Sequence, residues 1–224
     1  MPDLLLEIGV EELPASYIEP ALLQLRELLE KQVPCLNGLA FQNCATPRRL
    51  AVYWENVPEH LPGETREVKG PPVAACYGPD GKATPALAGF LAKNGAGEDA
   101  VEVRSVGGRD YCYIIVHEPG RPTAGLLAAE TPGIIDRISF PKKMRWNDPH
   151  KYFARPIRSI CCLLGSEVVP FEWNGVKSGR TVHGHAMVSP AGFELEAACL
   201  DRYRIELDNR RSEERRVGKE CRSR

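Results

Sequence analysis

The sequence has no C-x-x-C pair, although it carries eight cysteines, at 35, 44, 76, 112, 161, 162, 199 and 221. Neither a zinc ribbon nor a dithiol redox site is therefore suggested. No apolar run approaches the ~20 residues of a membrane-spanning helix. The start, Met1-Pro2-Asp3, lacks a basic segment leading into an apolar one. The expectation is a cytoplasmic chain with buried free thiols, not a secreted disulfide scaffold. G-x-S-x-G, a Walker loop and G-x-G-x-x-G are all missing, which removes the usual signatures of a serine nucleophile and of phosphate-cradling loops. Neither sign of charge dominates: 29 Lys+Arg stand against 30 Asp+Glu, net −1. The whole chain is thus no basic arm or acidic tail. No internal repeat stands out.

What is present is 224 residues, room for one large or two small domains and a sizeable core. The near-neutral total hides an asymmetry. Residues 210–224, RRSEERRVGKECRSR, hold 7 of the 29 basic and 3 of the 30 acidic residues. With almost no apolar side chains this tail is expected to be disordered, and the abrupt change of composition reads as a non-native extension. Residues 1–209 are read as the folded body, with a subdomain break near 60–72.

Hydrophobic spacing predicts a strand over 4–10 (LLLEIGV) and a helix over 16–33 on Ile18, Leu22, Leu25, Leu29 and Val33, capped by Ser16 and ended by Pro34. Strands are expected at 39–45 and 50–57 around Thr46-Pro47-Arg48-Arg49. A Pro/Gly-rich stretch follows, then a helix over 84–93 with Thr84 as cap, Pro85 first and Gly95 after its end. Alternation predicts a hairpin of 101–106 with 111–117. Further expectations are a helix over 122–137 weakened at Pro132-Gly133, a hairpin of 157–164 with 167–173 over Gly165-Ser166, and a strand at 181–188. Residues 194–208 are ambiguous. Strands and helices mix without regular βαβ alternation, which points to an α+β fold with mixed or antiparallel sheets and packed helices.

The most informative segment is 137–158, RISFPKKMRWNDPHKYFARPIR. Arg137, Lys142, Lys143, Arg145, Lys151, Arg155 and Arg158 are opposed only by Asp148, and Phe140, Trp146, Tyr152 and Phe153 are interleaved. Cations neutralise phosphates and aromatic planes stack on exposed bases. An RNA surface and a solvated loop with core aromatics both fit this pattern. Lys177 and Arg180, followed by His183 and His185, form a second basic set, and Arg48 and Arg49 a third. The two histidines have no third ligand at a convincing spacing, so no metal site is expected. Cys161 and Cys162 lie in an apolar run and read as buried and inert. Glu11 and Glu12 are adjacent, so on a strand they face opposite ways. No catalytic set is expected.

Eight short motifs in order carry a family resemblance: LLLEIGVEELPA (4–15), TPRRLAV (46–52), VKGPP (68–72), TPALAGF (84–90), EPGRP (118–122), FPKKMRW (140–146), ARPIR (154–158) and GRTVHGH (179–185). Together they resemble the N-terminal part of the beta subunit of bacterial heterotetrameric glycyl-tRNA synthetase, over roughly 4–209. The family commonly has an aromatic where Ser159 stands and Arg-Phe where Ala186-Met187 stand. The resemblance implies a fragment of a longer subunit. It also implies an α+β body that binds glycine tRNA and the alpha subunit in an α2β2 enzyme. The alpha subunit of that enzyme carries the catalytic core with ATP, Mg and glycine, and this fragment holds no cofactor. On that reading Lys142, Lys143, Arg145, Trp146, Arg155 and Arg158 form the RNA surface, with Arg48, Arg49, Lys177 and Arg180 as secondary candidates. The alternatives are a protein-docking domain without RNA contact, or an aminoacyl-ester hydrolase using His183, His185 or a cysteine.

Overall fold

The computed structural model describes residues 1–61, 63–77, 83–106, 109–118, 120–184 and 191–210. In chain order its first elements are β1 (Leu4–Val10), α1 (Ala15–Gln32), β2 (Phe41–Thr46), β3 (Arg49–Trp54), β4 (Glu64–Pro72), α2 (Val73–Cys76), α3 (Pro85–Asn94), β5 (Val101–Val106) and β6 (Arg109–Glu118). Then come α4 (Thr123–Arg137), β7 (Met144–Arg145), β8 (Tyr152–Phe153), β9 (Ile157–Leu164), β10 (Glu167–Val168), β11 (Glu172–Trp173), β12 (Val176–Gly179), β13 (Thr181–His183), β14 (Gly192–Glu194) and α5 (Leu200–Asn209). The fold is α+β, and its backbone falls into two compact units, 1–61 with 122–224 and 62–121.

The larger unit is built on a seven-stranded sheet, ordered β11-β12-β9-β1-β3-β2 with β10 paired to β9. Its pairings are antiparallel except β12 with β9. β1 lies between β3 and β9 and is buried along its whole length. Strand alternation sorts its side chains to two faces. Leu4, Leu6, Ile8 and Val10 join one core with α1 and α4, whose Leu22, Leu25, Leu29, Leu127, Ile134 and Ile135 are buried there. Leu5 joins a second core with Leu200, Tyr203 and Leu207 of α5 and with Val182 and Phe193 of the β13–β14 pair. The sheet is therefore sandwiched, with helices on one face and α5 plus a small hairpin on the other.

Several boundaries differ from expectation for identifiable reasons. α1 starts at Ala15 behind Pro14, and no side chain caps it, so Ser16 is a first-turn residue. α4 runs unbroken through Pro132, because packing of Leu127, Ile134 and Ile135 outweighs one lost backbone bond. The strand expected at 167–173 is split at Pro170, a residue without a ladder donor: β10 pairs with β9, whereas β11 pairs with β12. The ambiguous stretch resolves into β14 and α5, and Arg210, read as the first tail residue, caps α5 with its guanidinium 4.3 Å over the Phe193 ring. His185, the end of the strand expected at 181–188, and the tail from 211 lie outside the described residues.

The smaller unit is a three-stranded antiparallel sheet, β4-β6-β5. Its core is Cys76, Leu87, Leu91, Cys112 and Ile114. Lys69-Gly70-Pro71-Pro72 belongs to β4, whose register shifts between Lys69 and Pro72. Gly70 is required there: a Cβ would stand 2.8 Å from the Phe90 ring and 2.9 Å from the Cys112 carbonyl. No helix among the described residues is long and apolar enough to cross a membrane.

Candidate nucleic-acid interface

The basic segment begins where α4 ends. Ile138 and Phe140 turn back into the core, and Pro141, Lys142 and Lys143 emerge exposed. β7 and β8 then form a short antiparallel ribbon, with Met144 opposite Phe153 and Arg145 opposite Tyr152. Phe153 anchors the ribbon: it is fully buried, 4.8 Å from the Phe140 ring and 6.0 Å from Trp173.

The turn at the ribbon's end is clamped from outside. Asn147 and Asn174 both hold positive φ, 52° and 51°. Asn147 Nδ2 donates to the Asn174 carbonyl at 3.0 Å, the Asp148 amide donates to Asn174 Oδ1 at 3.0 Å, and Asn174 Nδ2 donates to the Trp146 carbonyl at 3.3 Å. Trp173 Nε1 donates to Asp136 Oδ1 at 2.8 Å, while Lys151 pairs with the other oxygen of that carboxylate. Lys151 is thus neutralised. Lys142, Lys143 and Arg145 are exposed and have no ion-pair partner among the described residues.

The other candidates separate by environment. Arg158 pairs with Glu11. Arg48 lies 4.0 Å from Glu12, and Arg155 Nε donates to the Glu12 carbonyl at 3.2 Å. Arg155, Glu11, Glu12 and Pro47 line a depression of about 550 Å³. Arg158, Lys177, Thr181 and His183 line a second, of about 410 Å³. The two carboxylates after β1 are therefore charge partners of this cationic rim.

Arg49 is a correction. It is only 5% exposed, donates from Nη1 to Glu7 at 3.2 Å and from Nη2 to the His183 carbonyl at 2.6 Å, and presents no charge to solvent. Its neighbour Arg48 is exposed because it stands with Pro47 in the two-residue turn between β2 and β3, whereas Arg49 is the first residue of β3 and pairs with Thr46. Trp146 is half-buried, its ring 5.6 Å from Trp173, so it packs rather than projects. Arg180 is half-buried and ties three carbonyls, Leu195 at 3.3 Å, Glu196 at 3.5 Å and Ser166 at 3.2 Å. Tyr152, one of the interleaved aromatics but not one of the residues expected on the RNA surface, is exposed. Period-two pairing around the 147–149 turn sends it away from Phe153 and onto the face of Arg145.

Among the described residues no group of His, Cys, Asp and Glu is placed to hold a metal ion. Burial, with the Glu7 carboxylate nearby, holds the Cys161 thiol above the ordinary range, and burial pushes Cys162 up to about 12. Thiolates, not thiols, are nucleophiles. Both should resist a maleimide at pH 8 in the native protein while exposed Cys199 reacts, which peptide mapping after brief labelling reads out. A raised native pKa also fixes the sign of the pH effect. The unfolded thiol ionises near pH 8.5 while the folded one stays protonated, so stability should fall as pH rises above about 9.

Residues 4–213 match the family model described as glycyl-tRNA synthetase beta subunit. Among curated proteins, the glycine–tRNA ligase beta subunit of Desulforamulus reducens is 41% identical over 195 residues, covering 86% of this chain and 28% of the relative. That of Moorella thermoacetica is 36% identical over 201 residues, covering 88% and 28%. That of Desulforudis audaxviator is 38% identical over 212 residues, covering 92% and 30%. The chain therefore spans under a third of the length of these relatives.

Proposed function

This chain belongs to the glycyl-tRNA synthetase beta subunit family, and from that premise we propose that it is a tRNA-binding and alpha-subunit-binding body of a glycine–tRNA ligase. In this reading ATP, with Mg, and glycine react on the alpha subunit. This chain contributes no reacting group and instead holds RNA in place. Proximity of that kind is a legitimate part of catalysis, since orienting one reactant removes much of the entropic barrier.

One observation carries the proposal. Lys142, Lys143 and Arg145 form an exposed cationic run on a clamped ribbon, with no carboxylate taking their charge among the described residues. Each phosphate neutralised releases counterions, so log affinity falls linearly with log salt. Three contacts give a slope of roughly −2 to −3. A titration of glycine tRNA into the chain between low and physiological salt should show at least that slope. A flat dependence overturns the RNA role. Size-exclusion chromatography with the purified alpha subunit tests the other half, where a joint peak is expected. If charge removal at the ribbon spares RNA affinity and abolishes the joint peak, the cations dock protein.

A further inference from the structure

We propose that Tyr152 is a stacking platform for an unpaired RNA base, with Arg145 beside it to hold the adjoining phosphate. The inference rests on the RNA-binding reading above and adds the part of the RNA that is recognised.

Four aromatic rings interleave with the basic residues of 137–158, and three are engaged in packing. Phe140 and Phe153 are buried and contact each other, and Trp146 lies against Trp173. Tyr152 alone projects, 45% exposed, with no aromatic or cationic partner over its ring among the described residues. Its directly opposed neighbour is Arg145. Opposed side chains of an antiparallel pair share a face at about 5 Å, which suits a base on the ring and its phosphate on the guanidinium.

Two further features favour a nucleotide over a chance exposed ring. The platform is rigid: Phe153 is buried behind it, and the Asn147–Asn174 amides fix the turn. A pre-ordered aromatic loses little freedom on binding. The surroundings are also cationic, with Lys142 and Lys143 exposed at the base of the ribbon. The nearby carboxylates are occupied: Asp136 by Lys151 and Trp173, and Asp148 by the His150 amide at 2.8 Å. An exposed ring that no aromatic or cation covers among the described residues, beside free cations, is the combination used for single-stranded nucleic acid, whereas paired bases offer no free face.

The test uses the whole chain and two RNA hairpins of the same stem, one blunt and one with a short single-stranded extension carrying a fluorescent adenine analogue. Binding of the extended hairpin should quench the analogue. Tyr152→Ala should weaken that hairpin roughly tenfold or more and abolish the quench, with blunt-hairpin affinity kept, while Tyr152→Phe should behave like the unaltered chain. Equal affinity of Tyr152→Ala for the extended hairpin overturns the proposal, as does an equal loss on both hairpins. Intact RNA binding with a lost alpha-subunit peak would reassign Tyr152 to a protein contact. If salt-sensitive blunt binding persists without a Tyr152 effect, stacking alone falls. If the unaltered chain binds neither hairpin at low salt, the RNA reading falls with it.

Discussion

Replacing Glu7 with alanine should destabilise the larger unit by about 3–5 kcal/mol, the range for breaking a buried ion pair from one side. Glu7 is 2% exposed in the middle of β1, on the face covered by α5. Its Oε2 accepts from Arg49 Nη1 at 3.2 Å and from the Tyr203 hydroxyl. Arg49 in turn donates to the His183 carbonyl at 2.6 Å. One carboxylate thus joins β1, β3, β13 and α5. Its removal strands a guanidinium that has left water, and also withdraws the acceptor holding the one polar atom of the Tyr203 side chain. For a unit of this size the loss corresponds to a fall in Tm of roughly 10 °C. Arg49→Ala should cost a similar amount, because it leaves the carboxylate behind. The pair replaced together, Glu7→Leu with Arg49→Met, should lose much less than the two single losses added, since no buried charge then remains. Urea unfolding of the four proteins measures this. A loss under about 1 kcal/mol for Glu7→Ala, the ceiling for an exposed ion pair, would show that water reaches the site.

That network also marks where the sequence stops being legible. LLLEIGV reads as a strand from its apolar residues, and it is one, but the glutamate in its centre is explained only by partners 42 and 196 positions away. Nothing local distinguishes Arg49 from Arg48, because they are adjacent cations in one basic stretch; the difference is that Arg48 stands in the turn while Arg49 opens β3, paired with Thr46. α5 escapes prediction because a single narrow stripe, Leu200, Tyr203 and Leu207, is all that it buries in a helix of mostly charged residues, with Ile205 exposed. The smaller unit, residues 62–121, is inserted in the larger one. Its two ends meet for a tertiary reason: His60 bridges Pro122, and Thr123 donates to the Glu59 carbonyl at 2.8 Å and to that of Pro58. In the basic segment the charges were evident, while the sorting of its rings into three packed and one projecting needed the Trp173 side of the core.

Removing the three unpaired cations together, Lys142→Ala, Lys143→Ala and Arg145→Ala, should cut RNA affinity about 100-fold near 0.1 M salt and make the salt slope shallower by about 2–3. The expectation follows from where their charge already goes. Arg158 and Arg48 face Glu11 and Glu12, so a phosphate must first displace a carboxylate from them. An exposed pair of this kind is worth about 0–1 kcal/mol, enough to blunt the gain from a new contact without abolishing it. The equivalent double change at Arg48 and Arg158 should therefore shift affinity by under about tenfold and the slope by less than 2. Folding should be untouched in the triple variant, since the ribbon is held by Phe153 and the Asn147–Asn174 clamp rather than by these charges. Arg49→Ala supplies the opposite control, lowering stability with no direct change in slope, because its guanidinium is enclosed by the sheet. A triple variant with unaltered slope would move the phosphate path away from the ribbon. The rim of Arg158, Lys177 and His183 would then be the surface to alter next, and its carboxylate partner Glu11 would become the residue that sets how tightly RNA is held.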